Sequence, residues 1–309
     1  MQGKKKELAP IALFAYKRMD KLQECLKALE KNYGVESTVL YVFCDGPKKK
    51  EDIADVQQVR EYLQAYRVKS KFEEICIIES KKNKGLANSI IGGVTEVVNK
   101  HGKVIVVEDD LITTNDFLQY MNDALDFYQD MKEYGSISAY TLPMKQLNKY
   151  SKDIYVTRKG ECWGWGTWQD RWNEVDWSVN DFNEYYNDKK RRKAFDSIEY
   201  GLDNMLVMQM NGKIDSWAVR WCYHLFFHNL LTVYPKVSKT LNIGFDGSGT
   251  HCETDSNLYG KDLKSVNERC NFERLPVNLK LERDSSRYAK NASIRNSILQ
   301  LYKGIVMKK

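Results

Sequence analysis

Short apolar runs alternate with helical patterns through the first 140 residues, and this order constrains the fold more than any other feature. After the first run, apolar residues recur at i, i+3, i+4 and i+7, namely Leu22, Cys25, Leu26 and Leu29. The pattern predicts strands over residues 11–16, 39–43, 75–78, 103–107 and 136–139, and further helices over 51–66, 86–99 and 115–131. Strands that alternate with helices are typical of parallel sheets. The sequence therefore predicts an α/β fold in which helices flank a mostly parallel sheet.

The composition is that of an ordinary folded protein. With 42% hydrophobic and 29% charged residues among 309, the chain can bury a substantial core as one large domain or two fused ones. No apolar run approaches the roughly 20 residues that span a bilayer, and no signal peptide is expected at the N-terminus. The seven cysteines are scattered without CxxC pairs, which favours free thiols in a reducing compartment over disulfides or a zinc site.

The positive charge is concentrated at the C-terminus. The chain has 48 basic and 42 acidic residues, but residues 285–309 hold six basic and no acidic ones, so residues 1–284 are neutral. A nucleic-acid partner is therefore not predicted. Apolar residues of the same segment recur at helical spacing: Ile294, Ile298, Leu301 and Ile305. We predict a basic amphipathic C-terminal helix, which either docks on the body of the protein or rests on an anionic membrane.

The character of the chain changes near residue 141. All seven tryptophans lie between Trp163 and Trp221, and the segment from Glu161 to Trp177 reads ECWGWGTWQDRWNEVDW. The sequence thus divides into residues 1–140, 141–284 and 285–309. Because neither a repeat nor a low-complexity linker separates them, the first two parts are expected to be fused into one body.

Three consecutive acids follow the fourth predicted strand: Glu108, Asp109 and Asp110. In open α/β sheets ligands bind at the carboxyl ends of strands, and adjacent carboxylates repel one another unless a cation compensates. A divalent cation that is bound both by the carboxylates and by substrate phosphates satisfies both conditions. The triplet therefore predicts a site for Mn²⁺ or Mg²⁺ and a sugar nucleotide. The alternative is a solvated acidic turn that caps the helix predicted at Asn115.

The triplet, with DFLQYM shortly after it, resembles the N-acetylglucosaminyltransferase I family and related bacterial GT-A glycosyltransferases, whose acidic DxD-type motif is written EDD. Similar segments follow the family's order over roughly residues 9–255: IALFAYKR from residue 11, FCDG from 43, SAY from 138, GW from 164 and PKVSKT from 235. The resemblance implies the GT-A fold, a Rossmann-like sheet fused to an acceptor-side region. Residues 1–140 would then bind the nucleotide sugar, while residues 141–284 bind the acceptor and supply the catalytic base.

The resemblance also implies a role for each matching residue. Asp110 would bind the metal directly, Asp109 would contact the ribose side and Glu108 the sugar hydroxyls. Asp45 would accept a hydrogen bond from the uracil N3–H, and Arg18 would lie near the uracil or the diphosphate. For Arg18 and Asp45, local turn chemistry is the alternative.

Other polar residues complete the set of candidates. Asn88 falls where the family places a base-contacting histidine. Ser248 resembles a loop serine that contacts the diphosphate or the sugar, and His251, beside the same Gly-rich loop, is a second candidate metal ligand. His224 and His228, four residues apart, are expected to be structural, because no third ligand accompanies them.

An inverting transferase needs a carboxylate opposite the leaving diphosphate, to remove the proton from the acceptor hydroxyl. The metal-binding acids face the leaving group, so the base must come from the second part of the chain. Asp215, in KIDSW, resembles the family's catalytic Asp and is the first choice. Glu161, directly before the tryptophan-rich motif, is the main alternative, and Asp170 and Asp176 are further ones.

The tryptophan-rich motif has two interpretations. Indole rings stack on the apolar faces of sugars, but they also pack well in a core. Trp163 or Trp165, which flank a glycine, is the expected sugar contact. Trp168 and Trp172, four residues apart on a predicted helix, are expected in the core.

Together these features predict an inverting, metal-dependent glycosyltransferase that moves a sugar from a UDP-sugar to a hydroxyl of a glycan or lipid-linked acceptor. The resemblance slightly favours GlcNAc. The expected setting is the assembly of bacterial surface polysaccharide in the cytoplasm, at the inner face of the membrane if the C-terminal helix binds lipid. A sugar nucleotidyltransferase is a second interpretation, but residues 15–19 lack the Gly-rich phosphate loop that it would need. A non-catalytic carbohydrate-binding protein would leave the acidic triplet unexplained.

Overall fold

The computed structural model describes residues 7–245, 263 and 269–306, with side chains as far as Ser293. Two candidates, Ser248 and His251, lie outside the described residues. The strands are β1 (Ile11–Ala15), β2 (Val39–Cys44), β3 (Glu74–Glu79), β4 (Lys103–Glu108), β5 (Leu111–Thr113), β6 (Tyr134–Ser138), β7 (Ile154–Thr157), β8 (Trp165–Trp168), β9 (Leu231–Pro235) and β10 (Thr240–Asn242). The helices are α1 (Met19–Leu29), α2 (Ile53–Lys69), α3 (Leu86–His101), α4 (Phe117–Tyr128), α5 (Gln169–Trp172), α6 (Phe182–Asn187), α7 (Lys189–Ile198), α8 (Leu202–Met210), α9 (Ala218–Phe227) and α10 (Leu279–Val306).

Among the described residues, eight strands form one sheet in the order β3-β2-β1-β4-β8-β6-β9-β7. The half from β3 to β4 is parallel throughout. In the other half, β8 is antiparallel to both β4 and β6, β9 is parallel to β6, and β7 is antiparallel to β9. A separate antiparallel pair joins β5 to β10. The predicted α/β fold, a mostly parallel sheet flanked by helices, is confirmed.

The parallel strands are buried on both faces, which is why their sequences read as continuous apolar runs. In β4, Ile105 and Val107 face α1, α2 and α4, whereas Val104 and Val106 face α3, α5 and α9. Side chains alternate along a strand. Glu108, which ends β4, therefore has the parity of Val104 and Val106 and belongs to the α3 side of the sheet.

Strand β8 brings the second part of the chain into the middle of the sheet. Trp165 lies opposite Val106 of β4, and Trp168 lies opposite Lys103. Since β8 and β4 are antiparallel, the start of β8 lies beside the carboxyl end of β4, where the acidic triplet follows. Residues before and after 140 thus share one sheet, and the functional division at that point stays a prediction.

Four indoles fill the α3 side of the sheet. Trp165, Trp172, Trp217 and Trp221 are each at most 2% exposed. Trp165 stacks on Trp217 with ring centroids 4.9 Å apart and lies 5.6 Å from Trp172. Because large aromatic rings bury much apolar area, this cluster anchors the second part of the chain to β4.

Trp168 and Trp172 are buried, as expected of core residues, but they lie on different elements. Trp168 is the last residue of β8 and pairs with Lys103, and its indole N–H donates to the Leu125 carbonyl at 3.0 Å. Trp172 ends α5. The prediction of one helix through both is wrong, because strand pairing with β4 extends to Trp168.

The C-terminal helix docks on the body through its first turns. α10 begins at Leu279, earlier in the chain than predicted. Leu281 is buried, and the buried Glu282 carboxylate is ion-paired with Arg158. Further along, the Ser286 hydroxyl accepts the Tyr200 backbone N–H at 3.0 Å. Docking is therefore observed for these turns, while contact with a membrane stays a prediction.

Two expectations from composition can be compared with the described residues. All six described cysteines are free thiols, as the scattered spacing predicted. No described helix is both apolar enough and long enough to cross a membrane.

Candidate functional site

The candidate site is built around the carboxyl end of β1, which has a predicted acid on each side. The Asp45 backbone N–H, after β2, donates to the Ala15 carbonyl at 3.2 Å. The Asp109 backbone N–H, after β4, donates to the Phe14 carbonyl at 3.1 Å. Arg18 directly precedes α1 at the same edge. Parallel pairing thus gathers three residues that are far apart in sequence.

Arg18 forms ion pairs with two acids of the triplet. Its Nη2 contacts Asp109 Oδ1, and its Nη1 lies 3.0 Å from Asp110 Oδ2. Asp109 is 3% and Asp110 6% exposed, so water screens these charges little. Burial by itself would lower the pKa of Arg18, but the two carboxylates outweigh it and hold that pKa above its ordinary value. The resemblance placed Arg18 near the uracil or the diphosphate, and the structure places it on the acidic triplet.

The triplet carries more negative charge than Arg18 neutralises. Burial, together with Asp110 and Asp109, raises the pKa of Glu108 to about 8, against the opposing effect of Arg18. Burial also raises the pKa of Asp109 to about 6, because it outweighs the lowering by Arg18. Crowded carboxylates out of water favour their protonated forms unless a cation joins them. The site therefore favours additional positive charge.

Asp110 has one carboxylate oxygen that is available to a ligand. Its Oδ1 is buried and has no hydrogen-bond partner among the described residues. A carboxylate oxygen of this kind suits a hard cation such as Mn²⁺ or Mg²⁺. Within the described part of the chain, no three His, Cys, Asp or Glu side chains form a complete metal cluster. A cation held by Asp110 would therefore complete its coordination with water and substrate phosphates, as Mg²⁺ commonly does.

The segment that follows β10 passes directly over Asp110. The Ile243 backbone N–H donates to the Asp110 carbonyl at 2.8 Å. A Cβ at Gly244 would overlap the Asp110 carboxylate and lie 3.1 Å from Arg18 Nη1. Only glycine fits at this position without movement of its neighbours. Sequence reasoning placed Ser248 and His251 at a Gly-rich loop but did not single out Gly244.

Asp45 organises the loop ahead of α3. Its carboxylate accepts the backbone N–H groups of Gly46 at 2.8 Å, of Lys84 at 2.9 Å and of Gly85 at 3.2 Å. These bonds match the local turn chemistry that was the alternative for this residue, and contact with uracil stays a prediction. Asn88, in the first turn of α3, is exposed and donates to the Lys84 carbonyl at 3.0 Å.

Asp215 reaches the start of the same helix. Its Oδ2 accepts the Ala87 backbone N–H at 3.3 Å. A Cβ at Gly85, whose φ is +79°, would lie 2.7 Å from that oxygen. A helix N-terminus attracts negative charge, and the Asp215 carboxylate lies at the start of α3. Because Trp217 stacks on Trp165, Asp215 and Glu108 belong to the same side of the sheet.

Glu161 is held in a partly buried ionic cluster. Lys159 Nζ lies 3.2 Å from Glu161 and 2.7 Å from Glu199, a residue that the sequence did not suggest. The Cys162 backbone N–H donates to Glu161 Oε1 at 3.0 Å. Burial would lower the pKa of Lys159, but the two glutamates raise it. Burial and then the charges of Glu161 and Glu108 raise the pKa of Cys162.

The two candidate sugar-contacting indoles differ in exposure. Trp165 is fully buried, so it has no surface for a sugar in this structure. Its interior position follows from β8, which pairs on both sides. Trp163 is partly buried, with Tyr140 at 4.6 Å and Phe245 at 5.4 Å between ring centroids. It lies just before β8, at the edge of the triplet.

The remaining alternatives for base and metal ligand lie elsewhere. Asp170, ion-paired with Lys132 and Arg171, follows β8 and therefore lies at the opposite edge of the sheet from the triplet. Asp176 accepts backbone N–H groups in its own turn. His224 stacks on His228 and on Trp221, consistent with the structural role expected for both histidines.

Solved structures of glycosyltransferases are similar to this chain. For GalNAc-T7 with UDP, GalNAc and Mn²⁺, the TM-score is 0.49 and the identity 6%, over 75% of this chain and 43% of that one. For S. aureus TarS 1–349 with UDP-GlcNAc, the values are 0.39 and 11%, over 74% and 58%. For the mannosyltransferase PcManGT from Pyrobaculum calidifontis with GDP-Man and Mn²⁺, they are 0.36 and 13%, over 54% and 49%.

No protein-family model and no curated protein matches the sequence. The chain spans 21% of the length of S. aureus TarS and 58% of the length of TarS 1–349. The similar structures belong to the class that the sequence resemblance predicted. With every TM-score below 0.5, they assign no donor, acceptor or mechanism to this chain.

Proposed function

We propose that this protein is a metal-dependent glycosyltransferase that uses a nucleoside-diphosphate sugar. The observation that carries the proposal is the buried carboxylate of Asp110, whose Oδ1 lacks a partner among the described residues. It belongs to a three-acid cluster at the carboxyl end of a parallel strand, where α/β sheets bind their ligands. A cation and a diphosphate together account for the charge, the burial and the location.

Each residue of the site would have a separate role. Asp110 would hold Mn²⁺ or Mg²⁺, which when bound neutralises the charge that develops on the leaving diphosphate. Asp109 would contact the ribose side, and Glu108, on the α3 side of the sheet, the sugar hydroxyls. Trp163, partly exposed at the same edge, would pack against the sugar or the acceptor.

Asp215 is our choice for the catalytic base of an inverting transfer. In the described structure it takes part in one hydrogen bond, through Oδ2, which orients the carboxylate while Oδ1 can accept the proton of the acceptor hydroxyl. Glu161 is less suited, because Lys159 and the Cys162 N–H already engage both of its oxygens.

The donor and the acceptor are proposed from the sequence. We propose UDP as the nucleotide, with Asp45 and Asn88 on the base side, and GlcNAc as the favoured sugar from the sequence resemblance. The similar structures bind both UDP- and GDP-sugars, so they do not choose the base. A glycan or lipid-linked glycan would be the acceptor, in bacterial surface polysaccharide assembly in the cytoplasm. The described C-terminal helix adds Arg287 and Lys290 to the basic surface proposed to contact anionic lipid.

Calorimetry with UDP and Mn²⁺ tests the proposal. The wild-type protein should bind UDP in the presence of Mn²⁺, and Asp110→Ala should lose most of this binding while it remains folded. Asp130→Ala is the matched control, because Asp130 is an exposed acid before β6, at the opposite edge of the sheet. Binding of free sugars without nucleotide would instead favour a carbohydrate-binding protein. A screen of UDP- and GDP-sugars for hydrolysis would then identify the donor.

A further inference from the structure

Arg18 bridges Asp110, the proposed metal ligand, and the neighbouring Asp109. Its Nη2 contacts Asp109 Oδ1, while Nη1 lies 3.0 Å from Asp110 Oδ2. The guanidinium is well suited to such a bridge, because its donors form a rigid fork. The side chain of Arg18 is 19% exposed, so this positive charge lies largely within the site.

The two oxygens of the Asp110 carboxylate differ in their partners. Oδ2 faces Arg18, whereas Oδ1 is buried without a partner among the described residues. A cation bound to Oδ1 would lie within a few ångströms of the guanidinium on the same carboxylate. Two positive charges this close repel each other, and the repulsion is stronger in a partly buried site than in water. Arg18 and a divalent cation therefore oppose each other at Asp110.

We propose that Arg18 is an internal counter-cation, which balances the acidic triplet in the metal-free protein and gives up Asp110 when the divalent cation binds. The inference rests on the proposed function, since it assumes that Asp110 holds the metal. Arg18 thereby sets the affinity for metal. It offsets the repulsion among the three acids when no divalent cation is bound, and it makes the protein a weak binder of metal alone.

Release from Asp110 also gives Arg18 a second partner. It follows β1, between the Asp45 loop and the triplet, at the edge where a diphosphate would lie. Guanidinium groups bind phosphate oxygens through two parallel N–H donors. The cation that displaces Arg18 therefore makes it available to the nucleotide, and metal and nucleotide bind cooperatively.

Binding of Mn²⁺ without nucleotide tests this role. Manganese affinity is measured by electron paramagnetic resonance of the free ion, for the wild type and for Arg18→Met, which keeps the apolar stem. We expect about tenfold tighter Mn²⁺ binding to Arg18→Met, because the competing charge is removed. Mn²⁺ should also raise the Tm of this variant more than that of the wild type.

Two further variants make the result specific. Arg274→Met removes an exposed arginine that is ion-paired with Glu133 far from the triplet, and it should bind Mn²⁺ as the wild type does. Arg18→Lys keeps the charge but loses the fork, so its affinity should lie between those of the wild type and Arg18→Met. A weaker affinity than wild type for Arg18→Lys would contradict the counter-cation role.

The outcomes separate this inference from the proposed function. If the wild type binds Mn²⁺ with UDP, but Arg18→Met binds Mn²⁺ alone no more tightly than the wild type, the role of Arg18 is wrong and the proposed function stands. If the wild type binds no Mn²⁺ with or without UDP, the metal dependence itself is overturned, and the inference with it.

Discussion

At the scale of single residues, the site is defined by carboxylates whose partners differ. Asp110 keeps an oxygen without a described partner, Asp45 has its oxygens on backbone N–H groups, and Glu161 is neutralised by Lys159. Acids of the same type therefore have different chemical uses, because their neighbours decide whether they bind a cation, hold a loop or accept a proton. The predictions for Asp215 and Gly244 follow from this distinction.

Asp215→Asn should abolish most of the transfer activity. The amide keeps an oxygen for the Ala87 N–H but cannot accept a proton, so kcat should fall by about 10²–10⁴-fold. Binding of UDP with Mn²⁺ should stay unchanged. Glu161→Gln, measured in the same assay with the same donor, should lose less activity. A greater loss in Glu161→Gln, with wild-type turnover in Asp215→Asn, would assign the base to Glu161.

Gly244→Ala should disturb the proposed metal site, although it changes none of the proposed metal ligands. The added methyl group overlaps the Asp110 carboxylate, and such overpacking typically costs about 1–3 kcal/mol of stability. Mn²⁺-dependent UDP binding should weaken as Asp110 moves. Gly92→Ala is the matched control, because Gly92 is an exposed residue of α3 and an added Cβ there meets no atom within 4 Å. That variant should be stabilised by up to about 1 kcal/mol, as measured by urea unfolding.

At the scale of elements, the second part of the chain is attached through β8 and α9. β8 pairs with β4 on one side and β6 on the other, and α9 packs Trp221 against Trp165. The same helix carries His224, which is 3% exposed and stacked between Trp221 and His228. A buried neutral histidine makes the stability of this attachment dependent on pH.

Stability should fall in mild acid because of His224. Burial and then His228 lower its pKa to about 4 from the model-peptide value of 6.5, so the unfolded chain takes up this proton more readily. The contribution of neutral His224 to the free energy of unfolding is complete above pH 6.5. It is lost as the pH falls towards 4, and the total loss is about 3 kcal/mol. In urea unfolding, His224→Phe should flatten the dependence between pH 4 and pH 6.5. An unchanged slope in that variant would contradict the assignment.

At the scale of the whole molecule, the first turns of the C-terminal helix dock on the body, whereas a group of basic residues comes later in the sequence. Its first turns are attached to the body through Leu281 and the ion pair of Glu282 with Arg158. Residues after Ser293 include Arg295, Lys303, Lys308 and Lys309. Truncation after Asp284 would cut inside the docked part, so a test of membrane contact should leave residues up to Ser293 in place.

Removal of residues 294–309 should abolish co-sedimentation with vesicles that contain phosphatidylglycerol. Each basic residue near an anionic surface contributes about 1 kcal/mol, so four of them dominate the affinity. A full-length variant with Arg295, Lys303, Lys308 and Lys309 all changed to Gln keeps the length and should bind similarly weakly. Vesicles of phosphatidylcholine alone are the control for apolar contact. Unchanged sedimentation of both variants would show that the basic segment does not bind lipid.

The sequence by itself determined the parallel half of the sheet and the position of the acidic triplet. Both are local in sequence: a buried strand is a contiguous apolar run, and Glu108–Asp110 follow directly from one. The periodicity of α1 likewise required no distant partner, and the residues it marked are all buried.

The tertiary structure determined the contacts between residues that are distant in sequence, which a local sequence pattern does not record. Arg18 meets Asp109 across 91 positions of sequence, and Ala87 meets Asp215 across 128. Gly244 is constrained because the chain returns past Asp110, and Trp165 is buried because β8 enters between β4 and β6. Charge balance and burial depend on distances through space, whereas periodicity records only neighbours along the chain. The sequence therefore located the acids, and the fold determined the partner of each one.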